Sequence, residues 1–241
     1  MNDQELFEKQ YGQNKIVSKP LRQYLGLRNF FKGLDLDRYE ACIQLTTGGK
    51  RCLDIGCNNG FLLRRLSRKF GELYGVDASP SILKEAEKKT KEQLSKEFNR
   101  FNYIHKNVND GLPFSDGFFD MVISVATLQY VFDLFKLVGE INRVLISGGE
   151  VIVQVPNLAY LLRRLSLLRG YLPVTSAAVN WQEVGWDSGS IHYFTMGKLC
   201  WLFETNGFKI VTKSGSGFLA KFRNWWPSLL SSDLIIRAEK I

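Results

Sequence analysis

Between residues 50 and 157, short apolar runs alternate with longer stretches in which apolar residues recur every three or four positions. The short runs predict buried strands, and the longer stretches predict helices with one apolar face. A chain that alternates strand and helix in this way folds as a parallel sheet covered by helices. The predicted strands are 51–55, 73–77, 100–106, 119–125 and 150–155, followed by 208–213 and 233–239.

The same patterning predicts the helices and their ends. Ser79 and Pro80 form a helix start, because serine caps the first turn and proline suits the first helical position. Gly148-Gly149 predicts a turn before the fifth strand, and Gly207 predicts a helix end. The predicted helices are 61–70, 80–98, 133–145 and 196–206.

Residues 51–60, RCLDIGCNNG, are typical of a strand that ends in a tight glycine loop before a helix. Leu53 and Ile55 flank Asp54 in the strand. Gly56 and Gly60 let the backbone turn sharply and approach a ligand closely. Strand, glycine loop and helix in this order form half of a nucleotide-binding βαβ unit.

The residues around this loop favour one nucleotide class over another. Asp77 ends the second strand, where an acid can bind a ribose diol. NAD binding uses a G-x-G-x-x-G loop, whereas this loop has only Gly56 and Gly60. Asp54 would repel phosphates and attract a cation. S-adenosylmethionine has no phosphate and carries an ammonium and a sulfonium, so it suits these residues better than NAD does.

Three segments, LDIGCNNG (53–60), YGVDAS (74–79) and LPFSDGFFD (112–120), resemble in order and spacing the motifs of class I S-adenosylmethionine-dependent methyltransferases, especially the type 11 small-molecule group. The resemblance extends from about Gly49 to Asn157. It implies an α/β fold: a Rossmann-like, seven-stranded, mostly parallel sheet with helices on both faces and an antiparallel last strand. It also implies S-adenosylmethionine bound at the carboxyl ends of the first three strands, with S-adenosylhomocysteine as product.

The resemblance implies a set of cofactor-binding residues. Asn58 replaces the family's second glycine, and asparagine tolerates left-handed backbone better than other residues with a Cβ. Asn107 replaces an acid and can accept a hydrogen bond from an adenine amine, or it is simply a turn residue. The implied contacts are Asp54, Gly56 and Gly60 at the methionine, Asp77 at the ribose, Asn107 and Val108 at the adenine, and Cys57, Asn58, Ala78 and Ser124 nearby.

We expect a single methyltransferase domain over 1–241, divided into an N-terminal helical cover (1–49), a cofactor-binding core (50–157), an insertion or lid (158–195) and a C-terminal helix with strands (196–241). In this architecture the N-terminal segment often covers the cofactor. Tyr11 is therefore a candidate contact, together with Lys15, and surface packing is the alternative.

The insertion begins with a stripe of leucines between Leu158 and Leu168, beside Arg163, Arg164 and Arg169. Such a stripe fits a lid, a dimer face, a weak membrane-surface contact, or a helix packed on its own domain. Packing on its own domain is the default expectation, and the sequence leaves the oligomeric state open.

Methyl transfer needs an acceptor atom held near the methyl group, and a hydroxyl acceptor benefits from a general base. His192, in an aromatic loop, is the candidate base, and His105, on a predicted strand, is expected to be structural. Asp187 and Glu183 share the loop with His192 and are weaker candidate bases. Tyr130 is a candidate to orient the acceptor, and simple packing is the alternative.

Residues 186–195 resemble a loop of relatives that act in surface-glycan or secondary-metabolite pathways, which implies a small-molecule, sugar or lipid-linked acceptor. Relatives often carry a histidine near Gln129, which this chain lacks. The alternative to catalysis is a protein of the same fold that binds S-adenosylmethionine without turnover.

The formal net charge of +8 raises the question of nucleic acid, but basic residues alternate with acidic ones, as in KEAEKK at 84–89, so no nucleic-acid partner is expected. Cys42, Cys52, Cys57 and Cys200 show no CxxC pairing, which fits reduced structural cysteines and no metal site. The polar start of the chain does not resemble a signal peptide, and we expect a cytoplasmic protein.

Overall fold

The computed structural model describes residues 35–173, 175, 190–218 and 220–241. The strands are β1 (Asp35–Leu36), β2 (Gly49–Ile55), β3 (Phe70–Asp77), β4 (Phe101–His105), β5 (Phe119–Val125), β6 (Leu145–Pro156), β7 (Phe208–Ser214), β8 (Gly217–Phe218) and β9 (Asp233–Lys240). The α-helices are α1 (Arg38–Leu45), α2 (Phe61–Leu66), α3 (Pro80–Gln93), α4 (Leu134–Val144), α5 (Leu161–Leu168), α6 (Met196–Glu204), α7 (Ala220–Arg223) and α8 (Pro227–Leu230), with 3-10 turns at Ser95–Arg100, Val108–Asp110 and Leu128–Tyr130.

Seven strands form one sheet in the order β4-β3-β2-β5-β6-β9-β7. The five strands from β4 to β6 are parallel, and β9 runs antiparallel to both β6 and β7. The apolar runs predicted for the sheet centre are buried, as expected for strands covered on both faces. The predicted fold class is confirmed, including the antiparallel last strand.

Helices cover both faces of this sheet. On one face, α4 and α6 contribute apolar side chains such as Ile141 and Phe203 to the core. On the other face, α1, α2 and α3 contribute Cys42, Leu63 and Leu83. The apolar positions of each helix recur every three or four residues, so one side of each helix is buried and the other meets water.

Two predicted helix ends are wrong. The first helix ends at Leu66, because Phe70 already begins β3 and pairs with Gly49 of β2. The second helix ends at Gln93, because Leu94 leaves the helical region with φ of −135° and ψ of 47°, and a 3-10 turn follows.

The predicted start of the fifth parallel strand is also wrong. β6 begins at Leu145 rather than at Glu150, because Leu145 pairs with Phe119 and Glu150 pairs with Met121. The intervening residues 146–149 bulge out of the ladder, and Gly148 supplies the positive φ of 73° that the bulge needs.

A second sheet of two strands was not predicted. β1 and β8 pair antiparallel, which ties the residues before α1 to the connection between β7 and β9. β7 and β9 pair antiparallel and form one edge of the main sheet, although residues 215–232 separate them in the chain.

An ion pair on α4 fixes the segment between β4 and β5. Arg143 donates hydrogen bonds to the carbonyl oxygens of Leu112 (3.1 Å) and Phe114 (2.7 Å), and Glu140 accepts one from the amide of Leu112 (2.8 Å). The hydrogen bond from Arg143 is the main reason why the pKa of Glu140 falls to about 2. The carboxylate therefore stays ionised at neutral pH and anchors the segment that follows Asn107.

The leucine stripe forms α5, but none of the helix residues is buried. The expectation that this helix packs against its own domain is wrong, since Leu162 is 57% exposed and Leu168 is 83% exposed. Among the described helices, none has the length and apolar content to cross a membrane. The four cysteines are buried and free, as expected for structural residues.

Candidate active site

The loop between β2 and α2 turns through three residues with left-handed backbone: Gly56 (φ 75°), Asn58 (φ 48°) and Gly60 (φ 71°). Asn58 therefore adopts the conformation expected where the resembling family has a glycine. Its side-chain oxygen accepts a hydrogen bond from the amide of Asn59 (2.6 Å), which helps to hold this backbone. The amides of Gly56 and Cys57 both donate to the carbonyl oxygen of Val76 (2.8 and 3.1 Å) and fasten the loop to β3.

Two side chains that the sequence analysis missed explain why the loop needs its glycines. A Cβ at Gly56 would lie 2.1 Å from Oγ1 of Thr127, and a Cβ at Gly60 would lie 2.3 Å from the hydroxyl of Tyr103. Close packing continues at Gly75, where a Cβ would lie 2.7 Å from Sγ of Cys57. Spacing alone gives no signal for these tertiary contacts.

Asp77 at the tip of β3 is bound to the glycine loop. Its Oδ2 accepts a hydrogen bond from the amide of Asn58 (2.9 Å), and its Oδ1 accepts one from the amide of Ser79 (3.0 Å). Nε2 of His105 lies 3.1 Å from the carbonyl oxygen of Ala78. The loop, the tip of β3 and the end of β4 are therefore linked by hydrogen bonds on the side where the ribose is predicted to bind.

Asn107 and Val108 follow β4 at the same end of the sheet. The side-chain oxygen of Asn107 accepts hydrogen bonds from the amide and from Nδ2 of Asn109 (3.0 and 2.9 Å), so it caps the 3-10 turn at Val108–Asp110. This is the geometry expected of a turn asparagine. Binding of adenine at these two residues stays a prediction.

Asp54 is the buried acid of the site, with an exposed fraction of 2%. Burial, and to a smaller extent the carboxylate of Asp77, raises the pKa of Asp54 to about 8. Tyr39 of α1 lies near Asp54. Burial is the main reason why the pKa of Tyr39 is raised, and the nearby carboxyl group of Asp54 adds to the rise. The ring of Tyr39 contacts the ring of Phe61 edge to face (5.2 Å). α1 therefore covers this end of β2.

Ser124 and Thr127 join the end of β5 to the end of β2. The Oγ of Ser124 and the Oγ1 of Thr127 donate hydrogen bonds to the carbonyl oxygen of Ile55 (3.4 and 3.1 Å). Ser124 is completely buried, and its contact with the cofactor stays a prediction.

The loop after β5 starts with backbone strain at Ala126, whose φ is 55°. The Ala126 amide donates to the carbonyl oxygen of Gln154 (2.9 Å), and its carbonyl oxygen accepts from Nε2 of Gln129 (2.9 Å). A left-handed alanine is costly and is commonly found at functional sites. These two hydrogen bonds hold Ala126 in this conformation at the start of the loop.

His192 and Tyr130 both belong to this part of the molecule. The amide of His192 donates to the carbonyl oxygen of Gln129 (3.2 Å), and Nε2 of His192 lies 3.2 Å from the carbonyl oxygen of Phe132. Because a carbonyl oxygen can only accept, this hydrogen bond requires the tautomer with a proton on Nε2, in which Nδ1 is the acceptor nitrogen. Tyr130 lies in the 3-10 turn of the same loop.

Gln154 of β6 is completely buried, and neither polar atom of its side chain has a hydrogen-bond partner in the part of the chain described. It is paired in register with Val125 and Ile235, whose side chains lie on the sheet face that α1 and α2 cover, the face of Asp54. Gln154 is not among the predicted site residues, although a polar residue within the apolar run 151–155 is a visible signal. An unpaired buried amide costs about 1–3 kcal/mol, so it needs an explanation.

The remaining candidates, Tyr11 and Asp187, lie outside the described residues, as do Lys15 and Glu183. The described residues contain no group of three or more His, Cys, Asp or Glu side chains placed to hold a metal ion.

The strand order divides the site into two halves. The chain leaves β2 toward β3 and β4, then returns to β5 and β6 on the other side, so the order reverses between β2 and β5. Open α/β sheets bind ligands at the carboxyl ends of the strands at such a switch point. Asp54, Asp77 and Asn107 lie on the β2–β4 side, and His192 and Gln154 lie on the β5–β6 side.

Known proteins match this sequence and fold. Residues 53–153 match a family described as "Methyltransferase domain". The demethylmenaquinone methyltransferase of Lysinibacillus sphaericus is 31% identical over 180 residues, which cover 70% of this chain and 74% of that protein. The 2-phytyl-1,4-naphtoquinone methyltransferase of Trichormus variabilis is 35% identical over 108 residues, 44% of this chain and 46% of that protein. The chain thus spans less than half the length of this second relative.

Solved structures share the fold at low identity. An S-adenosylmethionine-dependent methyltransferase from Mesorhizobium loti superposes with a TM-score of 0.62 at 18% identity, covering 83% of this chain and 96% of that one. The [4+2]-cyclase SpnF superposes with a TM-score of 0.59 at 17% identity, covering 84% and 80%. The chain belongs to the class I S-adenosylmethionine-dependent methyltransferases.

The raised pKa of Asp54 predicts how stability depends on pH in the ligand-free protein. Between its ordinary pKa of about 4 and its folded pKa of about 8, folded Asp54 holds a proton that the unfolded chain has lost. The free energy of unfolding therefore falls as the pH rises through this window, by an amount on the order of a few kcal/mol. Asp54→Asn should remove this slope, measured by urea unfolding at several pH values.

Asp116→Asn is the matched control, because this carboxylate is exposed. A bound cation should favour the ionised form of Asp54, so binding of S-adenosylmethionine should release protons near neutral pH in the parent and not in Asp54→Asn. Calorimetry in buffers of different ionisation heat measures this release. Equal pH slopes in the parent and in Asp54→Asn would contradict the prediction.

Proposed function

We propose that the protein transfers a methyl group from S-adenosylmethionine to a small ring-containing acceptor of the quinol type. Family membership supports the cofactor, and two relatives are described as quinone methyltransferases. The observation that carries the proposal is the division of the site into two halves. The β2–β4 side, here called the cofactor half, has the residues expected for the cofactor. The β5–β6 side, here called the acceptor half, has buried polar groups and a histidine.

In the cofactor half, Asp77 would bind the ribose, and the segment at Asn107 and Val108 would contact the adenine. Asp54 and the backbone at Gly56 and Gly60 would hold the cationic methionine end. This half is organised before the cofactor binds, because its loop and strand tips already hydrogen-bond to one another. Little ordering cost therefore remains to be met on binding.

In the acceptor half, the reaction needs one bond to form and one to break. The acceptor atom attacks the methyl carbon while the sulfur–carbon bond breaks, and S-adenosylhomocysteine leaves with a neutral sulfur. Nδ1 of His192 takes the proton of a hydroxyl acceptor, while its Nε2–H donates to the carbonyl oxygen of Phe132 and fixes the ring. Tyr130, on the same loop, and Asp187 complete the set of candidate acceptor-side residues.

Gln154 supplies the polar group that recognises the acceptor. Its Nε2 can donate to one acceptor oxygen and its Oε1 can accept from a hydroxyl, which matches a ring bearing both kinds of oxygen. A sugar or lipid-linked acceptor would present the same groups and remains the competing acceptor class. The buried free cysteines fit the cytoplasmic location proposed for the protein.

A second function has some support. SpnF shares the fold and is described as a cyclase, so the fold alone does not fix the reaction. A protein that binds S-adenosylmethionine without methyl transfer is therefore the alternative.

Turnover separates these functions. S-adenosylhomocysteine should bind the purified protein in a calorimetric titration and NAD should not. Incubation with S-adenosylmethionine and a reduced naphthoquinone should then yield S-adenosylhomocysteine and a product heavier by one methylene, seen by mass spectrometry. A panel of sugars and lipid-linked glycans tests the competing acceptor class. Binding without turnover on any acceptor would favour the non-catalytic alternative.

His192→Gln should lower kcat by about 10²-fold or more, because general-base catalysis contributes that much. Affinity for S-adenosylhomocysteine should not change. The matched control is His105→Gln, since the chain has two histidines and this one lies in the cofactor half. An unchanged kcat in His192→Gln would refute the role of the base.

Gln154→Met should raise the KM for the acceptor about tenfold or more, with unchanged affinity for S-adenosylhomocysteine. The free energy of unfolding should stay constant or rise by about 1–3 kcal/mol, because an unpaired buried amide is removed at similar volume. Gln44→Met, at an exposed position of α1, controls for the new side chain. A loss of stability with an unchanged KM would show that Gln154 has a structural partner instead.

A further inference from the structure

The surface formed by α5, α7 and α8 carries large apolar side chains that face water. On α5 and just after it, Leu162, Leu167, Leu168 and Tyr171 are all more than half exposed. On α7 and the turn after it, Phe222 and Trp225 are also largely exposed. Exposed apolar side chains in this number, on neighbouring elements, indicate an interaction surface.

Direct contacts join these elements into one surface, here called the α5–α8 face. The guanidinium of Arg223 lies 5.9 Å from the ring centre of Tyr160, just before α5. Nδ2 of Asn157 donates to the carbonyl oxygens of Ser228 (2.9 Å) and Ser231 (2.8 Å), which tie α8 to the end of β6. The elements are therefore held together and are not independent appendages.

The charge of the α5–α8 face has one sign. Residues 157–173 contain three arginines, and residues 214–232 contain one lysine and one arginine. Neither segment contains an aspartate or a glutamate. Four arginines without an acidic residue in either segment, beside tryptophan and leucine, form the pattern of a surface that lies in the interface of an anionic membrane.

We propose that the α5–α8 face binds the surface of an anionic lipid bilayer. Tryptophan and leucine side chains enter the interface, and the exposed Arg164 and Arg169 meet the lipid phosphates. A symmetric dimer through the same face is disfavoured, because it would bring these arginines against their own copies.

The α5–α8 face lies at the same end of the sheet as the acceptor half of the site. α5 begins five residues after the end of β6, and α8 ends just before β9 begins at the same end of the sheet. The acceptor half of the site lies at this end. A bilayer bound there would bring a hydrophobic acceptor to the site. This delivery of the acceptor rests on the proposed function, whereas the binding of the α5–α8 face to the bilayer does not.

Sedimentation of the full chain with lipid vesicles tests the binding. The parent should sediment with vesicles that mix phosphatidylglycerol and phosphatidylcholine, and only weakly with pure phosphatidylcholine. The double variant Leu168→Glu/Trp225→Glu should lose at least tenfold in partition coefficient, and Arg164→Glu should lose about fivefold or more. Both apolar positions are exposed, so the variants should fold, which circular dichroism checks.

Ile241→Glu is the matched control, because Ile241 is 82% exposed, like Leu168, but lies beyond the far end of β9 at the opposite edge of the molecule. It should bind vesicles as the parent does. Equal binding of the parent to neutral and anionic vesicles, or equal losses in the control and in the double variant, would overturn the proposal. The proposal would also be overturned if the parent self-associates without binding vesicles and the double variant no longer self-associates.

Methyl transfer separates this proposal from the proposed function. The double variant should methylate a short-chain soluble acceptor at the parent rate and a vesicle-embedded acceptor more slowly. Vesicle binding in the absence of any methyl transfer would leave the membrane proposal standing and refute only the function.

Discussion

The close approach of Thr127 and Tyr103 to the loop after β2 is the constraint on which the rest of the site depends. Each reaches so near the backbone that no Cβ fits at Gly56 or Gly60. The glycines are therefore set by neighbours from β4 and from the end of β5, as well as by the turn itself. Because the loop amides also bond to Val76, the ends of four strands form one packed unit, and the cofactor half cannot shift one part without the others.

The two halves of the site differ in how far their polar groups are satisfied. In the cofactor half, Asp77 and Asn107 have specific hydrogen bonds within the protein. In the acceptor half, the side-chain oxygens of Gln129 and Gln154 have none among the described residues, and Ala126 is strained. A preorganised half suits a ligand common to a whole family, and an unsatisfied half suits a ligand that varies between its members.

Local signals predicted most of the fold, and tertiary contacts decided the rest. Every strand of the main sheet was predicted, because apolar runs bounded by glycine, proline or polar residues are strong signals over short windows. Phe70 was assigned to a helix because its spacing continued that of Leu66, although it belongs to β3. The left-handed backbone at Asn58 was predicted from its residue type. The contacts of Thr127 and Tyr103 with the glycine loop could not be predicted from spacing, because they join residues far apart in sequence. The lack of a hydrogen-bond partner for Gln154 among the described residues could not be predicted for the same reason, because it depends on tertiary packing.

Asp54 connects the fold to the proposed reaction. A buried carboxyl group that keeps its proton avoids most of the cost of a buried charge, at the expense of stability at high pH. A ligand with two positive charges at its methionine end makes the ionised form favourable. After methyl transfer the sulfur is neutral and one of these charges is gone, so a carboxylate at the proposed position of Asp54 would hold the product less strongly than the substrate. In the proposed reaction, Asp54 would therefore help to distinguish S-adenosylmethionine from S-adenosylhomocysteine.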